Sequence, residues 1–147
     1  MATDVLLLNG PNLNMLGTRE PEKYGKTTLS EVQRQVGDLL DGHGLSHESF
    51  QSNHEGALID WLHERRGSGF LIFNPGAFTH TSIALRDAVL SVEVPLVEVH
   101  ISNVHQREEF RKHSYFSDIA VGSIVGLGVR GYLFAAEFAV DHLKSGS

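Results

Sequence analysis

The chain has 147 residues, a common size for one domain, and an ordinary composition of 41% hydrophobic and 20% charged residues. That excludes collagen-like, low-complexity and wholly disordered readings. Twelve basic against 18 acidic side chains give a formal charge of −6, and there is no Cys. Nucleic acid and anionic membrane are therefore poor partners, and a disulfide framework, a thiolate metal site and a Cys nucleophile are excluded, while a local basic pocket is still allowed.

The first ten residues lack a basic segment and hold only a four-residue apolar run, so no signal peptide is expected. No apolar stretch approaches the ~20 residues of a membrane span. With no repeat or linker-like stretch, residues 1–147 read as one domain, and the absence of Cys fits a reducing compartment, so a cytoplasmic location is expected. Val5 to Leu8 predict a buried strand closed by Asn9-Gly-Pro11. Residues 10 to 27 form a long aperiodic loop, of the kind that is usually functional. Thr28 with Glu31 is a capping-box pattern opening a helix over about 28–42. A weak strand follows at 45–52, then a helix capped by Asn53 and ended by Gly67. Phe70 to Phe73 is a second buried strand, 81–91 a helix and 95–101 a strand. A short helical stretch is expected at 105–112, a fifth strand at 119–125 and a last helix at 131–143.

Five alternations of strand and helix predict a parallel sheet covered on both faces, with ligands beyond the carboxyl ends of its strands. Polar clusters follow the strands there: Asn9 to Asn12, Ser52 to His54, Asn74 to His80 and His100 to Asn103. Gly126-Leu-Gly-Val-Arg-Gly131 matches a dinucleotide fingerprint, but no further strand follows to carry the acidic residue that would meet a ribose. Tight packing of helix on strand is the better account. The nine His residues show no H-E-x-x-H, and glycines break the helix around His43 and His47, so no metal site is expected.

Arg19 and Tyr24 share the Gly-flanked first loop. A lone loop Tyr is usually just exposed, yet a guanidinium beside it favours the phenolate, a general base. His100 ends a strand with Glu98 two residues earlier on the same face, which reads as a structural His or as an acid–base His oriented by a carboxylate. Arg107 and Arg111 either pair with Glu108 and Glu109 or neutralise a carboxylate substrate. No Lys lies in an apolar run, which speaks against a Schiff base.

Taken together, four segments resemble one family, the type II 3-dehydroquinate dehydratases. They are Asn9 to Gly25, Gln51 to Gly56, Asn74 to Ser82 with Leu85-Arg-Asp87, and Glu98 to Asn103 with Arg107 to Arg111. The resemblance implies a flavodoxin-like α/β sandwich with a five-stranded parallel sheet in the order 2-1-3-4-5. It also implies reversible dehydration of 3-dehydroquinate to 3-dehydroshikimate through an enolate, without a cofactor or metal. Tyr24 would be the base, Arg19 would keep it anionic, Asn12 would hold a water against the enolate, and His100, oriented by Glu98, would be the acid. Asn74, His80, Ile101, Ser102 and Arg111 would bind substrate, and Arg107 would add a lid charge. Asp87 would reach a neighbouring subunit's site in a trimer, four of which make a homododecamer. A different class, a flavodoxin-like module binding a flavin or phosphate, is disfavoured because the first loop spends Arg and Tyr instead of Ser and Thr.

Overall fold

The structure, a computed structural model, describes residues 2–18, 22 and 25–145. Arg19 and Tyr24 of the first loop lie outside the described residues. Five strands form one parallel sheet: β1 (Val5–Asn9), β2 (His47–Gln51), β3 (Phe70–Asn74), β4 (Leu96–His100) and β5 (Gly122–Val125), in the order β2-β1-β3-β4-β5. Four helices connect or follow them among the described residues: α1 (Leu29–Gly42), α2 (Glu55–His63), α3 (Ile83–Val92) and α4 (Arg130–Lys144). This is the flavodoxin-like α/β arrangement.

The three inner strands are buried at every position, so they read in sequence as unbroken apolar runs. Successive side chains still alternate between the two faces. Leu7, Phe70, Ile72, Val97 and Val99 pack beneath α1 and α4, while Leu6, Leu8, Leu71, Phe73 and Leu96 pack beneath α2 and α3. At the start of α1, Thr28 accepts the Glu31 N–H at 3.2 Å, and the Thr28 hydroxyl donates to the Glu31 carboxylate at 3.3 Å.

Three local expectations need correction. Asn53 does not cap α2, whose N-cap is His54; its Oδ1 accepts from the Asn12 amide at 2.9 Å and from Gln51 Nε2 at 3.2 Å. Its polar group ties the loop after β2 to the loop after β1. The 105–112 stretch is not one helix but two 3-10 turns, Val104–Gln106 and Glu109–Arg111, parted at an extended Arg107. The fifth strand begins at Gly122, because Ile119 and Ala120 close a turn onto the Phe116 carbonyl.

The glycine-rich segment after β5 serves the strand beside it. A Cβ on Gly131 would stand 3.2 Å from Ile124 and 3.6 Å from Val99, so glycine lets α4 settle on the sheet. Gly126 and Gly128 donate their amides to the carbonyls of His100 and Ile101 at 3.1 and 3.0 Å. The motif thus pins the chain as it leaves β4.

Candidate active site

Strand order reverses between β1 and β3, and an open α/β sheet places its crevice at such a point. Asn9 and Asn74 are register neighbours at this edge. The loops that follow approach at backbone distance: the Gly10 amide donates to the Asn74 carbonyl at 2.8 Å, and a Cβ on Gly10 would lie 2.2 Å from the Pro75 carbonyl oxygen. Asn12 takes a left-handed φ of 70°, a conformation Asn tolerates better than most residues.

A cleft of about 270 Å³ opens here. Leu13, Met15 and Leu16 make an apolar wall; Asn12, Asn74, His80, His100, Ser102, Arg107 and Arg111 bring polar side chains, and Ile101 lines the cleft among them. Eight of the predicted site residues therefore meet in one place. No carboxylate lines the cleft among the described residues, and two guanidinium groups do. An anionic ligand is favoured in this cleft although the whole chain is acidic. Arg111 Nε donates to Glu108 at 2.5 Å, and Arg107 Nη1 makes a long 3.4 Å contact to the Ser102 hydroxyl. Asp87 is exposed on α3 and does not line this chain's cleft.

Glu98 lies behind the cleft, 1% exposed. Its Oε2 receives His100 Nε2 at 2.6 Å and the Thr79 hydroxyl at 2.5 Å. Ser114 reaches both carboxylate oxygens at 2.8 and 3.0 Å, and Ser117 reaches Oε1 at 2.9 Å. Burial alone would raise this carboxyl's pKa. The hydrogen bonds from His100 and Thr79, with the His100 charge and the Ser114 hydroxyl, outweigh burial and hold it at about 2. His80 is lowered from the ordinary histidine value, first by burial and then by His100 and Arg111, against the opposing pull of the His113 carbonyl. In the neutral ring, Nδ1–H must donate to that carbonyl, 2.7 Å away, so Nε2 is left as an acceptor.

A carboxyl whose pKa falls on folding binds fewer protons in the folded state. Its contribution to stability is fully present above about pH 4.5 and is lost as pH falls towards 2. For Glu98 this contribution is on the order of 3 kcal/mol. Urea midpoints followed from pH 5 to pH 2 should fall more steeply for the native chain than for Glu98→Gln. Parallel curves would show that Glu98 is not held ionised.

Two features were missed in the sequence. One is the hydroxyl set of Thr79, Ser114 and Ser117 around Glu98. The other is Tyr132, fully buried on α4, whose hydroxyl donates to Asn9 Oδ1 at 2.6 Å and accepts from Asn74 Nδ2 at 2.8 Å. Asn74 Oδ1 accepts the Gly76 amide at 3.0 Å, so both ends of its amide are fixed. The available signals were a Tyr on the Ala-rich face of the last helix and a Ser-x-x-Ser step before the last strand.

The family model described as Dehydroquinase class II matches residues 3–140. The chain is 58% identical over 145 residues to a catabolic 3-dehydroquinase of Verticillium alfalfae, covering 98% of this chain and 97% of that one. It is 59% identical over 141 residues to a 3-dehydroquinate dehydratase of Yersinia pestis, covering 95% and 94%. The crystal structure of a type II dehydroquinase from Butyrivibrio crossotus superimposes with a TM-score of 0.88 at 42% identity, covering 94% of this chain and 97% of that one.

Proposed function

The chain belongs to the class II dehydroquinase family, and on that premise we propose that it is a hydro-lyase dehydrating 3-dehydroquinate to 3-dehydroshikimate through an enolate. The observation that carries this reading is the buried Glu98–His100 pair opening on a cleft lined by cations and neutral donors. Such a lining suits a polyhydroxylated carboxylate.

A proton beside a ketone is weakly acidic, so the reaction needs a strong base and a stabilised enolate. Tyr24 is the base, and the Arg19 charge keeps it anionic. Arg19 follows cleft-lining Leu16 by three residues, a span of at most about 11 Å. Asn12 holds a water against the enolate oxygen. As the enolate electrons form the new C=C bond, the hydroxyl departs with a proton from His100 and leaves as water. Because Nε2 faces Glu98, the transferable proton is on Nδ1 of the doubly protonated ring. Asn74, the Nε2 acceptor of His80, Ser102, the Ile101 amide and Arg111 bind substrate, and Arg107 adds charge at the cleft mouth. Proton transfers between these side chains suffice without a cofactor or metal. The described lysines, Lys26, Lys112 and Lys144, are exposed, unlike a Schiff-base Lys. The direct test is growth of ultraviolet absorbance from the conjugated enone after 3-dehydroquinate is added. Its absence with folded protein would overturn the reading.

The proposal extends to assembly. Exposed Ile83 and Leu90 share the α3 face that carries Asp87. That face makes a heterologous contact around a trimer, so Asp87 completes a neighbour's site, and four trimers form a dodecamer. Light scattering should report about twelve chains. Asp87→Ala should loosen the trimer and lower activity together, since removing one partner of a buried charged pair costs about 2–5 kcal/mol. A fully active native monomer would refute this.

A further inference from the structure

We propose that Ser114 is a positioning residue for the elimination step: its hydroxyl, held by the turn it sits in, fixes the Glu98 carboxylate and through it the orientation of the His100 ring. This rests on the acid role of His100 proposed above.

The hydrogen count at Ser114 leaves one arrangement. Its oxygen accepts the backbone N–H groups of Phe116 at 2.9 Å and Ser117 at 3.1 Å, which occupy both lone pairs. Its single hydrogen therefore points away from them, towards the Glu98 oxygens at 2.8 and 3.0 Å. Thr79 gives its own hydrogen to Glu98 Oε2, so its 3.0 Å approach to Ser114 is a contact between oxygens and not a further donation. With Ser117 on Oε1 and His100 on Oε2, four donors surround one carboxylate. A buried carboxylate with its donors satisfied in this way is held rigidly in place.

The turn is anchored on both sides of Ser114. The Tyr115 amide donates to the Thr79 carbonyl at 2.8 Å, and the Tyr115 carbonyl accepts Arg86 Nη1 at 2.8 Å. Arg86 also clamps Asp118 with two bonds, at 2.5 and 2.9 Å. Phe116 is fully buried, its ring edge-on to Phe73 at 5.3 Å. The same turn offers the His113 carbonyl to His80. One short segment thus sets two histidines that line the cleft, through different atoms. Loss of the Ser114 hydroxyl acts directly on Glu98 and His100 and also frees the Phe116 and Ser117 amides, whereas displacement of the whole turn would reach His80 too, through the His113 carbonyl.

The experiment compares Ser114→Ala, Ser114→Thr and His100→Ala, each checked for folding by its thermal transition. Two rates are read on each: exchange of the acidic C–H with solvent deuterium, and dehydration. Ser114→Ala should lower kcat for dehydration about 10- to 100-fold, the scale of one hydrogen bond to a charged group, with KM nearly unchanged and exchange preserved. Ser114→Thr, which keeps the hydroxyl, should recover most of kcat. Ser117→Ala, at an exposed residue, should show the same split at smaller amplitude, and it carries the test if Ser114→Ala does not fold. Equal falls in exchange and dehydration, a KM rise matching the kcat loss, or no effect at all would overturn the proposal. Full dehydration by His100→Ala would instead overturn the acid assignment beneath it.

Discussion

Tyr24→Phe is expected to lower turnover by about 10²–10⁴-fold while largely keeping substrate affinity, because that is the usual contribution of a positioned general base. The affinity should survive because the cleft's anion-binding and hydrogen-bonding groups come from the loops after β1, β3 and β4 and not from Tyr24. The phenyl ring keeps the bulk of the side chain and removes only the oxygen that, in the proposed mechanism, accepts the proton. Both deuterium exchange at the acidic carbon and dehydration should fall by the same factor, since no enolate forms without the base. Retained exchange in Tyr24→Phe would assign proton removal to another group. Arg19→Ala should act in the same direction, because a phenol without a nearby cation is ionised only near pH 10 and is mostly protonated at neutral pH.

Strands were legible because β1, β3 and β4 are buried on both faces and leave no polar position inside the run. The helix over 29–42 was legible because Thr28 and Glu31 mark its start and apolar residues repeat on one side. Order 2-1-3-4-5 was not contained in any periodicity; alternation implied only a parallel sheet, and the order came with the family resemblance. The Glu98–His100 pair was legible from a two-residue step along a strand. The carboxylate's other partners were not, since Thr79, Ser114 and Ser117 come from two loops and hydroxyl donors carry no periodic mark. Asn53 shows the opposite failure: its type and place fit a helix cap, yet the Asn12 amide competes for its oxygen and wins. Arg107 and Arg111 both line the cleft, but not from the expected short helix: Arg107 is an extended residue between two 3-10 turns, and Arg111 ends the second of them.

His100→Ala should separate two steps that the native protein runs together. Dehydration is expected to fall by about 10²–10⁴-fold, the range for a general acid, while exchange of the acidic C–H with solvent continues. The reason lies in where each proton goes. In the proposed mechanism, enolate formation uses Tyr24 and Asn12, and neither belongs to β4. In the same mechanism, departure of the hydroxyl draws its proton from His100, which is 7% exposed with its Nε2 committed to Glu98. Without the ring, Glu98 keeps its three hydroxyl donors but loses the partner that could balance its charge. Some stability should therefore be lost as well, so the two rates are compared on folded protein, below the thermal transition of the variant. A variant that dehydrates without exchanging would place the acid elsewhere. One that loses both rates equally would make His100 part of enolate formation and leave Glu98 as a structural charge.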